Sequence, residues 1–310
     1  MVSIAQLVRA SDCGSEGRGF ETLCSPHTRE KLVYDGVFVR IRRSFFITPY
    51  NSAVMEKSEI KELLDFHAAR INSPEFIGDD PVQFPRMFSD RRDIEIAALL
   101  SATIAWGKRS MIIRDAQRMF ALMDMQPYNY MMDQGYEDLP RQNIHRTFFS
   151  DNLQHWMRGL RLIYSHHATL DDFARSIGAG QADYPAVRLA EGINECLAVA
   201  NGGKGDSRCL PLNLNTTALK RLNMALRWLV RTDGIVDLGI WSSISQESLR
   251  IPLDVHVIRT ATGLGLLKRA GADRKAVEML TAELRAMRPH DPVFYDYALF
   301  GLGVEAAKIK

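Results

Sequence analysis

Apolar residues recur at helical spacing along most of the chain from Met55 onward. The clearest case is residues 91–106, where Asp90 can cap the helix and small or apolar residues form one face suited to close packing. Further segments with this period are residues 56–72, 110–123, 153–167, 186–201, 216–232, 254–267, 273–287 and 291–305. The pattern predicts an all-α protein of about ten helices, with few strands.

Two segments interrupt this pattern. Residues 201–215 begin with a glycine-rich stretch, which predicts an exposed connection between two helical lobes. Residues 1–54 have no period continuous with the rest, and their opening, SIAQLVRASDCGSEGRGFETLCSPH, resembles a translation of the strand opposite a transfer-RNA gene. We therefore predict a helical domain over 55–310, preceded by a misassigned start or disordered extension over 1–54. A genuine extension or a small strand pair is the alternative.

The composition is that of a globular protein, with 310 residues, 46% of them hydrophobic and 25% charged. Seven of the 39 basic and five of the 37 acidic residues lie in the first 54 positions, which leaves 32 of each sign in the remainder. A nucleic-acid partner would therefore require basic residues gathered on one face. The absence of a long apolar run predicts no membrane span and a cytoplasmic location. Four scattered cysteines without a CxxC pair predict neither a metal site nor a disulfide framework.

Residues 216–231 predict an amphipathic helix with two unlike sides. At about 100° per residue, the leucines and Ala225 fall on one side, and Lys220, Met224, Arg227 and Arg231 fall on the other. The second side carries three cations along one helix. Such a stripe either contacts an anionic partner or is an ordinary solvated face.

The segment IPLDVHVIRTATGLGLL places a carboxylate at a predicted helix start. Pro252 favours an extended residue before it, and Asp254 stands where it can cap the next helix. The carboxylate would then lie at a positively polarised helix end. Taken alone, Asp254 is an N-cap and the lone His256 a structural residue.

This segment also resembles a known superfamily. PLDVHVIR, followed by Leu264 and Gly265, is similar to the V-D-x-H-V-x-R segment that carries the catalytic aspartate of helix-hairpin-helix DNA glycosylases. Lys220 lies 34 residues before Asp254, a spacing similar to that in archaeal GO (8-oxoguanine) glycosylases, which have a catalytic lysine there. FYDYALFGLG resembles their closing helix. KRLNMALRWLVR, VDLGIW, IPLDVHVIR and DPVFYDYALFGLG look like motifs of a bacterial family of unassigned function that resembles a branch of this superfamily.

The resemblance implies a two-lobed helical fold of the HhH-GPD type and double-stranded DNA as partner, with no cofactor. It implies catalytic roles for Lys220 and Asp254. The implied base-pocket residues are Trp106, Met224, Asp296 and Phe300. The implied contacts to the nucleic-acid backbone are Arg227, Arg231 and Arg259, although Arg259 could equally pair with a carboxylate.

The chain departs from the superfamily pattern in two places. The phosphate-binding L-P-G-V-G hairpin is missing, and its nearest substitute is TDGIVDLGIW. No four-cysteine loop follows, so no iron–sulfur cluster is expected.

Three hypotheses about function follow. The first is a DNA repair glycosylase, with or without AP lyase activity, that excises an oxidised or damaged base. The second is a nucleic-acid-binding protein of the same fold without catalysis. The third is a helical interaction scaffold in which Asp254 only caps a helix. Three aromatic residues are either candidates for the lining of a base pocket or plain core residues: Trp106, Trp228 and Phe300.

Overall fold

The computed structural model describes the backbone of residues 31–34 and 37–40 and, continuously, residues 55–308. The predicted all-α class is confirmed, because helices dominate this part of the chain. The α-helices are α1 (Lys57–Ile71), α2 (Pro74–Gly78), α3 (Arg91–Thr103), α4 (Arg109–Ala121), α5 (Pro127–Met132), α6 (Ser150–Tyr164), α7 (Leu170–Ser176), α8 (Pro185–Ala200), α9 (Lys220–Val230), α10 (Val255–Gly263), α11 (Arg274–Met287) and α12 (Asp296–Lys308).

Strands are short in the described residues. β1 (Lys31–Tyr34) pairs antiparallel with β2 (Val37–Arg40) within a unit over Met1–Ser52. Apart from these strands, the prediction about residues 1–54 lies outside the described residues. A second hairpin, β3 (Asn143–His145) and β4 (Phe148–Phe149), belongs to the compact unit over Ala53–Lys310.

Helix α3 lies at the centre of the helical unit, as its small-residue face predicts. The Asp90 side chain caps it by accepting a hydrogen bond from the backbone N–H of Arg92 at 2.8 Å. Its last nine residues are all buried, and it packs against α5 and α9. The alanines and serine on its surface allow these neighbours to approach closely.

Helix α12 packs between α1 and α10 because two glycines remove side chains from the contacts. A Cβ on Gly301 would lie 2.3 Å from the side chain of Ile71, and one on Gly303 would lie 2.7 Å from the carbonyl oxygen of His256. The FGLG sequence therefore brings the middle of α12 beside the start of α10, where Asp254 lies. None of the helices in the described part of the chain is long and apolar enough to cross a membrane.

Candidate catalytic site

Lys220 and Asp254 lie together in the folded protein. The Lys220 Nζ is 3.7 Å from Asp254 Oδ2, and the two side chains are 31% and 14% exposed. Both are therefore held in place by the protein and still reachable from outside. The two residues implied to be catalytic thus form one pair, although 34 positions separate them in the sequence.

Each member of this pair stands at the start of a helix. Asp254 caps α10 as predicted, since its Oδ1 accepts hydrogen bonds from the backbone N–H groups of His256 and Val257, both at 2.9 Å. Its other oxygen faces Lys220. Helix α9 begins at Lys220, later than the periodic pattern suggests, because Leu219 has a left-handed backbone with φ of 47°. The turn before α9 thus sets where the lysine points.

Two arginines and four aspartates form a buried ion-pair cluster beside this pair. Arg227 Nη1 donates to Asp296 Oδ2 at 2.8 Å, and Arg231 Nη1 donates to Asp237 Oδ2 at 2.8 Å. The guanidinium carbon of Arg227 also lies 3.4 Å from the ring centroid of Tyr297. We call this group the arginine–aspartate cluster; its members are Arg227, Arg231, Asp233, Asp237, Asp291 and Asp296.

The cluster corrects the prediction that Arg227 and Arg231 contact the nucleic-acid backbone. Arg227 is 1% exposed and Arg231 is 3% exposed, so neither reaches a phosphate, and neither is a solvated surface residue. The loop after α9 and the start of α12 cover the cationic side of α9 with carboxylates. The periodicity of one helix could not reveal this, because the covering residues lie elsewhere in the chain.

Asp296 is a member of the cluster whose carboxyl pKa is raised. Burial raises the pKa of Asp296 to about 6; Arg227 opposes the rise, and the carboxylates of Asp254 and Asp237 add to it. The cluster has four carboxylates for two guanidinium groups, so a surplus of negative charge favours one protonated carboxyl. Asp296 therefore changes its charge close to neutral pH.

This shift predicts a pH-dependent contribution to stability. Because the pKa of Asp296 is higher in the folded protein than in the unfolded chain, the stability it contributes is present below pH of about 4 and is lost as the pH rises through about 6. We expect the difference in unfolding free energy between the wild type and Asp296→Asn to fall by roughly 3 kcal/mol over that range. Urea unfolding at several pH values measures it. A difference that does not vary with pH would contradict the assignment.

A second carboxylate, Asp80, lies near the same pair and pairs with Arg109. The distance from Arg109 Nη2 to Asp80 Oδ2 is 3.3 Å, and burial raises the pKa of Asp80 against the opposing effect of Arg109 and, more weakly, of Lys220. The Arg109 guanidinium also lies over the ring of Phe300, 4.9 Å from its centroid, and 5.7 Å from that of Phe76. Phe300 in turn contacts His256 edge to face, at 5.6 Å between centroids. Asp80 thus lies within electrostatic reach of Lys220, and Phe300 packs against the residue two positions after Asp254.

The remaining predicted site residues, Met224, Trp106 and Arg259, differ in their exposure and contacts. Met224 is half-buried on α9, one turn after Lys220, and packs against the core. Trp106 is partly exposed, and the guanidinium of Arg221, which follows Lys220, lies 5.4 Å from its ring centroid. Arg259 is exposed on α10 and has no carboxylate of the described residues within 4.0 Å.

The aromatic residues divide between core and site. Trp228 is fully buried, which agrees with the core interpretation. Phe300 and Trp106 are both partly exposed and each lies beside an arginine.

A family model described as "Protein of unknown function (DUF2400)" matches residues 80–305. The chain belongs to the DUF2400 family. Its membership of a family of unassigned function, which the motifs predict, is confirmed. No curated protein and no solved structure matches the chain.

The DUF2400 match contains every predicted site residue and most of those that the sequence did not reveal. Asp80, Arg109, Asp237 and Tyr297 were missed. Asp237 had a signal, since it lies in the VDLGIW motif. Asp80 and Arg109 had none, because an aspartate before a proline and an arginine at a helix start are common in any helical protein.

Proposed function

We propose that this protein is a DNA glycosylase that excises an altered base by lysine and aspartate chemistry. The observation that carries the proposal is the 3.7 Å approach of Lys220 Nζ to Asp254 Oδ2 at the starts of two helices. The fold implied by the sequence resemblance, a two-lobed HhH-GPD fold, belongs to this proposal. So does double-stranded DNA as the partner.

Asp254 stabilises the charge that develops during the reaction. Cleavage of an N-glycosidic bond builds positive charge on the sugar, and a fixed carboxylate near C1′ lowers the energy of that transition state. Two backbone N–H groups hold Asp254 Oδ1, so the carboxylate does not have to reorient during the reaction. Oδ2 is left to face the sugar and Lys220.

Lys220 is the nucleophile of the proposed reaction. Its neutral amine attacks C1′, the C1′–Nζ bond forms, and the bond to the base breaks, so that the base leaves with the bonding electrons and takes up a proton. The C1′–O4′ bond then breaks, and O4′ takes its electrons and the remaining amine proton, which gives a Schiff base between C1′ and Nζ. Removal of a proton from C2′ then allows the 3′ phosphate to leave by elimination. This sequence would add AP lyase activity to base excision.

The base must leave the DNA stack to reach this pair. Phe300, with Arg109 over its ring, forms an aromatic wall beside Asp254. Met224, Asp296 and Trp106 are proposed to complete the pocket. Arg259, exposed on α10, is proposed to contact a phosphate.

A second candidate is a nucleic-acid-binding protein without catalysis. Lys220 and Asp254 also satisfy the geometry of an ion pair that only joins α9 to α10. The missing glycine-rich hairpin and the balanced charge of residues 55–310 favour this candidate.

Sodium borohydride trapping separates the two candidates. The full chain is incubated with duplexes containing 8-oxoguanine, uracil or an abasic site, and borohydride reduces any Schiff base to a stable adduct. We expect an adduct with the wild type, complete loss of it with Lys220→Ala, and no loss with Lys268→Ala, an exposed lysine after α10.

Each of the other outcomes contradicts one part of the proposal. An adduct that persists in Lys220→Ala would show that a different amine is the nucleophile. Base release without an adduct would mean that Asp254 activates water instead. Neither adduct nor base release, with DNA binding intact, would leave the non-catalytic candidate.

A further inference from the structure

Three loops converge on the start of α9 and bring basic residues together there. They are the turn after α3, the β3–β4 hairpin tip and the loop between α8 and α9. Lys108, Arg146 and Arg208 are exposed on these loops, and Arg221 is half-buried beside Lys220. None of these four residues was singled out in the sequence, because each comes from a different segment.

Hydrogen bonds connect the loops through the arginine side chains. Arg221 Nη1 donates to the carbonyl oxygens of Thr103 at 2.7 Å and of Arg208 at 3.2 Å. Arg208 Nη1 donates to the carbonyl oxygen of Thr147 at 3.2 Å. These bonds join Arg208 and Arg221 directly and tie Arg208 to the hairpin tip next to Arg146, while Lys108 follows Gly107, which the Arg146 side chain contacts. We call this group the cationic surface; its members are Lys108, Arg146, Arg208 and Arg221.

The hairpin tip is fixed in position. His145 is fully buried, with Nδ1 2.8 Å from Asp115 Oδ2 and Nε2 2.8 Å from the carbonyl oxygen of Trp106. The next residue, Arg146, has a left-handed backbone, and its guanidinium lies over Gly107, where a Cβ would be 2.5 Å from Nη1. The tip is thus tied to the turn that carries Trp106 and Lys108.

The charges of this surface have no carboxylate partner in the part of the chain that the structure describes. No carboxylate of residues 55–308 lies within 4.0 Å of the basic groups of these four side chains. Acidic residues nearby already have partners: Asp115 pairs with Arg114 and His145, and Asp206 accepts hydrogen bonds from Asn152 and the backbone of Arg208. Four uncompensated cations beside Lys220 match a polyanion.

We propose that the cationic surface binds the sugar–phosphate backbone of double-stranded DNA and thereby places a nucleotide over Lys220 and Asp254. This inference rests on the proposed function. It assigns the phosphate contacts to loops before α9, in place of the buried Arg227 and Arg231. Trp106 lies within the surface, its ring against Arg221, where it can meet a base or sugar.

The test is the salt dependence of DNA binding by charge-removing variants. The surface variant combines Lys108→Gln, Arg146→Gln and Arg208→Gln. The control variant combines Lys57→Gln, Arg141→Gln and Arg175→Gln, which removes the same charge from exposed side chains that each pair with a carboxylate. Fluorescence anisotropy with a labelled duplex gives the dissociation constant at NaCl concentrations from about 0.05 to 0.4 M.

We expect binding by the surface variant to weaken on the order of 10- to 100-fold at about 0.1 M salt, and the slope of log K against log salt to become shallower by about 3. The control variant should bind like the wild type. Lys108→Glu alone should also weaken binding, and the exposed Lys108 side chain makes no hydrogen bond or ion pair with the other described residues. Thermal unfolding of each variant checks that it remains folded.

Three results would each contradict the proposed role of the cationic surface. They are equal salt slopes for the surface variant and the wild type, no duplex binding by the wild type, and a surface-dependent preference for single-stranded nucleic acid. Borohydride trapping of the same proteins separates this inference from the proposed function. If the wild type is trapped but the surface variant has an unchanged salt slope, only the role of the cationic surface is contradicted. If DNA binding depends on the cationic surface but neither trapping nor base release occurs, only the proposed glycosylase activity is contradicted.

Discussion

Arg227→Met is expected to lower the free energy of unfolding by about 3–5 kcal/mol, one of the two largest effects that we predict for this protein. Arg227 is 1% exposed, and its guanidinium forms ion pairs with both Asp237 and Asp296. The same group stacks on the ring of Tyr297. Methionine fills similar space, but it leaves Asp296 buried without its cation and Asp237 with Arg231 as its one remaining cationic partner among the described residues. Removing one side of a buried ion pair costs about this much.

Urea unfolding followed by circular dichroism measures the loss. Arg227→Lys is the matched control, because it keeps the charge but cannot hold both carboxylates in the same way, so it should lose less. The double variant Arg227→Met, Asp296→Asn should recover part of the loss, since it removes one stranded carboxylate. A cost below about 1 kcal/mol for Arg227→Met would show that the cluster is not a stabilising unit.

The second large effect concerns activity. Asp254→Asn should reduce base excision by about 10²- to 10³-fold or more, because the amide cannot stabilise the positive sugar as a carboxylate does. Stability should change little, because asparagine caps a helix as well as aspartate. The two backbone hydrogen bonds to Oδ1 can be kept by the amide oxygen.

Asp254→Ala is the companion variant. It should lose the same activity and, in addition, about 1 kcal/mol of stability through loss of the cap. Single-turnover excision and urea unfolding of both variants distinguish the effect of the Asp254 charge on activity from the effect of its helix cap on stability. Unchanged excision by Asp254→Asn would contradict the catalytic role and leave only the structural one.

Local features of the chain were predictable because they depend on neighbouring residues. Asp90 and Asp254 both cap helices as expected, since a cap joins a side chain to backbone groups two or three positions away. The central position of α3 followed from its small-residue face. The glycine-rich segment after α8 is indeed an exposed connection, with residues 202–205 open to solvent.

The environment of α9 was not predictable in the same way. Its apolar side is buried as expected, but the side with Arg227 and Arg231 is buried too. The aspartates that accompany them come from the following loop, from the loop before α12 and from α12 itself, up to 69 positions away. Helical periodicity carries no information about partners at that distance.

The sequence alone therefore determined the helical class, the main helices, two of their caps and, through a resemblance, the identity of the Lys220 and Asp254 pair. Only the tertiary structure decided that this pair meets at 3.7 Å and that Arg109 and Asp80 flank it. It also decided which cations are paired inside the fold and which, among the described residues, have no carboxylate partner on the cationic surface. The reason is physical: a helix is stabilised by contacts within a few residues, whereas the state of a charged side chain depends on partners that only the complete fold brings near.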